Sequence, residues 1–148
     1  LQKLDIAIAS LHPPCIPFGT IQQNTQACIK AMENPFIDVL GHPGDPRYPI
    51  DVKEIVKTSK RTKCLIEINN ASLVPDGFRK GSDIIIEQIL KYAMEYETPI
   101  VLGSDAHFYM QIGDFTYCNA LLEKVHFPEE LIVNTSVQKL KKALKRNQ

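Results

Sequence analysis

The sequence has no tryptophan, no excess charge of either sign and no apolar run long enough to cross a membrane. Its 17 Lys and Arg residues balance its 17 Asp and Glu residues, so the formal net charge is zero. A chain without net charge has no long-range field that attracts nucleic acid or an anionic membrane surface. A membrane-spanning helix needs about 20 consecutive apolar residues, and a signal peptide needs an apolar core of its own. We therefore predict neither segment, and we expect neither a membrane nor nucleic acid as a partner.

Cysteine is sparse, and its spacing excludes the common C-x-x-C motifs of metal binding and redox chemistry. The chain of 148 residues is about the length of one domain and can bury a core without disulfide bonds. Widely separated cysteines in such a chain predict reduced thiols and a cytoplasmic protein. Because a free cysteine is ordinarily a small buried hydrophobic residue, Cys15 is not predicted as a metal ligand, although it lies near His12. The four cysteines are Cys15, Cys28, Cys64 and Cys118.

Short apolar, β-branched runs alternate along the chain with segments in which apolar residues recur at helical spacing. Strand, helix, strand, helix is the order of parallel α/β architecture. The sequence therefore predicts an α/β fold built of parallel β/α units. The predicted strands are 5–10, 37–40, 64–68, 99–102 and 131–133. The predicted helices are 20–33, 114–124 and three that begin at Asp51, Ser82 and Ser136.

Polar side chains of chemically reactive types follow the predicted strands. In parallel α/β folds the loops after the strands share one face, where barrels and doubly wound sheets carry their sites. The side chains expected on that face are His12, His42, Asn69, Asp105 and His107. The fourth histidine, His126, follows a helix and is predicted on the opposite rim, as a structural or exposed residue.

Asp105 and His107 stand two residues apart after the predicted strand 99–102. In an extended segment such residues point to the same side, so a carboxylate and an imidazole would enter one space. Together with His12 and His42, this pair favours a metal site for zinc, manganese or iron, because imidazole with carboxylate suits these ions and not calcium. The alternative is that Asp105 caps the next helix and His107 is merely exposed.

Cations and an amide on the same loops would suit an anionic substrate. Arg47, Arg79 and Lys80 follow the predicted strands, and a phosphate group is commonly bound by such side chains. Asn69 is a polar group at a strand end and is predicted to bind substrate as well. The alternative is that the three cations serve only solubility.

Five short motifs occur in order along the chain. They are LHPP at 11–14, GHPGDPRY at 41–48, EINNAS at 67–72, RKGS at 79–82 and LGSDAH at 102–107. In these motifs, and over nearly its whole length, the chain resembles the polymerase and histidinol phosphatase (PHP) superfamily, most closely its small stand-alone phosphatases of the YcdX type.

The resemblance implies a distorted, TIM-like parallel β/α barrel with up to three metal ions at the carboxyl ends of its strands. It implies that His12 and His42 ligate one metal, Asp105 a second and His107 a third, which makes Asp105 and His107 catalytic residues. Residues 1–148 would form the C-terminal portion of a single PHP domain. The family's N-terminal half, with its H-x-H pair, two further histidines and a bridging Glu, has no counterpart in these residues. A partial barrel leaves open strand edges, so a second copy of the chain is a further expected partner.

The function implied by the resemblance is hydrolysis of a small phosphate monoester by a metal-activated water, with zinc or manganese as the metal. One alternative is an exonuclease or editing module of a DNA polymerase, which uses the same chemistry. Another is a catalytically inactive structural or interaction domain, which would bind no transition metal.

Overall fold

The fold is organised around a four-stranded sheet whose strands are all parallel and lie in the order β1-β2-β3-β4. The computed structural model describes residues 1–13 and 15–148, so that Pro14 of the LHPP motif lies outside the described residues. The predicted α/β class is confirmed, and so is the parallel pairing of successive strands. The strands are β1 (Ile8–Ala9), β2 (Val39–Leu40), β3 (Leu65–Asn69) and β4 (Ile100–Gly103).

Three of the five helices begin where the N-cap side chain accepts a free backbone N–H group, whereas the other two begin at Gly81 and Phe115 without such a bond. Thr20 caps α1 and forms a reciprocal capping box with Gln23, Asp51 accepts the N–H of Glu54 in α2, and Ser136 caps α5. The helices are α1 (Ile21–Glu33), α2 (Val52–Thr62), α3 (Ser82–Glu95), α4 (Thr116–Lys124) and α5 (Val137–Ala143). Among the described residues, no helix has both the length and the apolar character to span a membrane.

The predicted strand 131–133 is wrong. Two short 3₁₀ turns, Glu129–Leu131 and Val133–Thr135, occupy this region, and only Ile132 makes a single bridge to β4. The side chain of Asn134 takes over the pairing, because its Oδ1 accepts the N–H of Leu102 at 3.0 Å and its Nδ2 donates to the Leu102 carbonyl at 2.9 Å. One amide side chain thus covers the edge of β4 where a backbone strand was expected.

Both faces of the sheet are covered. One face packs against α1, α2 and α3, and its central side chains Ile66 and Ile68 are fully buried. The opposite face carries Val39, Leu65 and Val101, which pack against the C-terminal segment through Val133 and Leu144. The loops after the strands are therefore held by two hydrophobic layers.

A buried ion pair ties the C-terminal residues to the start of β2. Asp38 is fully buried, and its Oδ2 accepts the backbone N–H of Ala7 at 2.9 Å and the Nε of Arg146 at 2.7 Å. Arg146 also donates to the carbonyl of Phe36 at 2.9 Å. Burial alone would raise the pKa of Asp38, but the hydrogen bonds from Arg146 and Ala7 outweigh it and bring the pKa below its ordinary value.

Replacing Arg146 with Met should make the protein less stable at neutral pH, with a difference from the wild type that narrows in acid. A lowered folded-state pKa means that ionised Asp38 contributes stability above its unfolded pKa of about 3.9, and that this contribution is lost as the pH falls. Urea unfolding of both proteins between neutral pH and about pH 3 measures the difference. A constant difference over this range would contradict the assigned role of Asp38.

Replacing Ile66 with Ala should lower the free energy of unfolding by about 2–5 kcal/mol, because a fully buried side chain leaves a cavity. The matched control is Ile84→Ala on α3, where the side chain is 63% exposed, and the expected change is within about 0.5 kcal/mol. If urea unfolding gave equal losses of unfolding free energy for the two variants, Ile66 would not be part of the hydrophobic core.

Candidate active-site cleft

A cleft of about 570 Å³ opens at the carboxyl ends of the strands. The four predicted metal ligands all line it, so their predicted convergence on one face is confirmed, whereas their role as ligands stays a prediction. His126 is exposed after α4 and is not among the lining residues, as expected. The described residues that line the cleft are His12, Pro13, His42, Arg47, Ala71, Val74, Gly77, Phe78, Arg79, Asp105, His107 and Gln111.

His12 and His42 lie beside each other in the cleft. Their ring centroids are 5.7 Å apart, and the ring planes meet at 68°. The Nδ1 atom of His42 is buried and has no hydrogen-bond partner among the described residues. Burial lowers the pKa of His42, and the positive charge of Arg79 lowers it further. The neutral imidazole that results near neutral pH is the form that binds metal ions.

Arg79 lies between two carboxylates in the wall of the cleft. Its Nη1 donates to Asp105 Oδ2 at 3.0 Å and to Ser72 Oγ at 3.2 Å, and its Nε is 3.5 Å from Asp45 Oδ2. Only 11% of the Arg79 side chain is exposed. The guanidinium is therefore held in place by groups from three different loops.

Asp45 was not predicted as a functional residue, but it organises both arginines of the cleft. The guanidinium of Arg47 donates two hydrogen bonds to the carboxylate of Asp45, from Nε to Oδ1 at 3.0 Å and from Nη2 to Oδ2 at 2.6 Å. Burial alone would raise the pKa of Asp45, but the hydrogen bonds from Arg47 and the charges of Arg47 and Arg79 bring it below its ordinary value. In the sequence, Asp45 stands before Pro-Arg, a pattern that predicts a turn. The pattern does not show that Asp45 binds the two arginines.

The backbone at Asp105 differs from the extended segment that was predicted. β4 ends at Gly103, and Asp105 has a left-handed conformation with φ of 52°. His107 is exposed and its Nδ1 bonds to the carbonyl of Asp105 at 2.9 Å. The alternative that Asp105 caps the next helix is also wrong, because Asp114 accepts the N–H of Thr116 at the start of α4.

Asp105 is ionised in this position. Burial alone would raise the pKa of its carboxyl, but the hydrogen bond and charge of Arg79 outweigh it and hold the pKa below its ordinary value. Among the described residues, no three His, Cys, Asp or Glu side chains lie close enough together to hold one metal ion. The unpartnered Nδ1 of His42, with His12 beside it, fits two positions of a metal site, and the remaining ligands are not assembled around them.

Two of the four predicted substrate-binding residues do not line the cleft. Asn69 is buried, and its Oδ1 accepts both the N–H and the O–H of Ser72 at 2.9 Å while its Nδ2 donates to Glu67 at 3.2 Å. Lys80 is 82% exposed and faces Asp76 at 3.4 Å. The structure thus gives Asn69 a positioning role beneath the cleft and leaves Lys80 on the outer surface, whereas Arg47 and Arg79 lie where a substrate could touch them.

Comparison with known proteins gives close relatives that are considerably longer than this chain. It is 44% identical over 145 residues to a probable phosphatase of Clostridium novyi (strain NT), covering 98% of this chain and 59% of the relative. It is 45% identical over 145 residues to a probable phosphatase of Caldanaerobacter subterraneus subsp. tengcongensis, covering 97% of this chain and 56% of the relative. The chain therefore spans somewhat more than half the length of these relatives. No protein-family profile matches it.

A solved structure shares the fold. One chain of the cryo-EM structure of archaeal ribonuclease P with mature tRNA superposes with a TM-score of 0.61 at 22% sequence identity. The match covers 95% of the present chain and 55% of the other. At this identity the likeness concerns the arrangement of strands and helices.

Replacing Asn69 with Ala should destabilise the protein by about 1–3 kcal/mol, because the buried N–H of Ser72 would lose its acceptor. Lys80→Ala is the control and should change the free energy of unfolding by less than about 0.5 kcal/mol. An Asn69→Ala protein with wild-type stability and weakened substrate binding would instead support the sequence-based prediction that Asn69 binds substrate.

Proposed function

We propose that this chain forms part of a metal-dependent phosphoesterase of the PHP type, which hydrolyses a small phosphate monoester within a distorted β/α barrel. The observation that carries the proposal is the meeting of two neighbouring imidazoles, an ionised aspartate and two arginines in one cleft. The relatives named probable phosphatases support the same class of reaction.

The proposed ligands are His12 and His42 for one metal ion, with Asp105 and His107 each contributing to a further one. The unpartnered Nδ1 of His42 and its neutral ring support this assignment. Zinc or manganese, and iron as a third candidate, suit this mixture of imidazole and carboxylate. Such ions, when bound, supply a water of lowered pKa and neutralise charge on phosphoryl oxygens.

Arg79 and Arg47 would bind the phosphoryl oxygens. A guanidinium presents several N–H donors in a fixed plane, which suits the oxygens of a phosphate group. Arg79 is held by Asp45, Asp105 and Ser72 and would orient the substrate with little motion of its own. Arg47 keeps its Nη1 free of Asp45, because of its three guanidinium nitrogens only Nε and Nη2 bond to that carboxylate.

We propose a cytoplasmic location for the enzyme. All four cysteines are free thiols. Burial raises the pKa of Cys28 to about 11 and those of Cys64 and Cys118 to about 12. These three thiols are inert, uncharged parts of the core, whereas Cys15 is exposed, contrary to the sequence-based expectation that it is buried. Free thiols suit a reducing compartment.

A second candidate is a catalytically inactive interaction domain. It is favoured by the pairing of Asp105 with Arg79 and by the lack of a complete set of metal ligands among the described residues. The polymerase editing module has less support, because the chain carries no excess positive charge to bind a nucleic-acid backbone. Metal analysis of the intact protein separates the first two candidates, since only the enzyme would retain a transition metal.

Substitution of His42 or Asp105 by Ala should lower the metal-dependent hydrolysis of 4-nitrophenyl phosphate by about 100-fold or more, because each variant removes a proposed ligand. The assay uses intact protein that has been stripped with a chelator and reloaded with Zn²⁺ or Mn²⁺. Circular dichroism checks that each variant is folded.

The control is His126→Ala, which should keep wild-type turnover because His126 lies outside the cleft. The proposal fails if this variant is as damaged as His42→Ala, or if stripped wild-type protein hydrolyses the substrate at full rate.

A further inference from the structure

The carboxylate of Glu67 lies directly over the backbone of Gly103. Glu67 is in β3, and Gly103 ends the neighbouring strand β4. A Cβ atom added to Gly103 would stand 1.9 Å from Glu67 Oε1 and 2.8 Å from its Cδ. Any residue other than glycine at 103 would therefore displace the carboxylate from its position.

The position of this carboxylate brings it to the loop after β2. Glu67 Oε2 accepts the backbone N–H of His42 at 2.7 Å, and it also accepts the Nδ2 of Asn69 at 3.2 Å. His42 has a positive φ of 31°, a conformation that a side chain with a Cβ atom rarely adopts. The bond from Glu67 thus holds a strained residue in place from a different strand.

We infer that Glu67 is a positioning residue for His42. It fixes the backbone from which the His42 ring projects beside His12, and Gly103 provides the space that this requires. The inference rests on the proposed function, because His42 matters as a proposed metal ligand. Glu67 acts through the backbone of His42 and by the length of its side chain, and its negative charge is not what the role depends on.

Two conservative variants separate length from charge. Glu67→Gln keeps an oxygen at the same distance and removes the charge, whereas Glu67→Asp keeps the charge and is one methylene too short to reach His42. The intact protein is measured by hydrogen exchange at the His42 amide and by titration with Zn²⁺ and Mn²⁺. We expect Glu67→Gln to keep a protected amide and a metal affinity within about threefold of the wild type. We expect Glu67→Asp to lose that protection and to bind metal about 10–100-fold more weakly.

Gly103→Ala provides an independent test, because the added methyl group takes the place of the carboxylate. It should reproduce the effects of Glu67→Asp while leaving Glu67 unchanged. The matched control is Glu87→Gln, which removes the charge of a carboxylate that Lys91 and Lys124 bind on the helical surface. This control should change neither the exchange of the His42 amide nor the metal affinity.

The inference is overturned if Glu67→Asp keeps a protected His42 amide, or if Glu67→Gln is as damaging as Glu67→Asp. If Gly103→Ala fails to fold, the comparison of Glu67→Gln with Glu67→Asp tests the inference alone. Wild-type protein that binds no Zn²⁺ or Mn²⁺ and releases no phosphate would refute the proposed function. The exchange of the His42 amide would still show whether Glu67 holds that loop.

Discussion

The register between β3 and β4 is the constraint on which the cleft depends. In this register Asn69 pairs with Gly103, and the missing Cβ of Gly103 admits the Glu67 side chain. The next residue, Asn70, donates its N–H to the Gly103 carbonyl at 2.7 Å, and its Oδ1 accepts two N–H groups at the start of α4 at 3.0 Å each. A slip of one residue would turn every side chain of β3 to the other face. The loop after β2, the floor of the cleft and α4 would then lose their common support.

The gathering of the histidines could be predicted because it follows from topology alone. Successive parallel strands place all their carboxyl ends at one edge, so a histidine after any of them arrives near the others. His12, His42 and His107 occupy this edge, whereas His126 follows a helix and lies elsewhere. The prediction needed only the order of strands and helices, which apolar periodicity shows well even where the ends of the elements are inexact.

The finer geometry could not be predicted, because it depends on partners that are distant in the sequence or on a single backbone turn. The strand at 131–133 has the right composition, yet the side chain of Asn134 forms the hydrogen bonds to β4. Asp105 follows a strand, but one left-handed residue ends the alternation on which the side-chain directions were based. Asn69 places an amide group at a strand end. Only the fold shows that this amide is already hydrogen-bonded to Ser72 and Glu67.

Arg79 acts on the pKa of two neighbouring groups in the cleft, His42 and Asp105. Its guanidinium bonds to Asp105, and its charge also acts on His42. Burial lowers the pKa of His42, and Arg79 lowers it further. Burial would raise the pKa of Asp105, and Arg79 reverses that effect. The imidazole is therefore neutral and the carboxylate is ionised, so both groups keep the lone pairs that a metal ligand must donate. The cation that would bind the phosphate thus also keeps Asp105 ionised and reinforces the neutral form of His42 that burial already favours, so that replacing Arg79 would act mainly on Asp105.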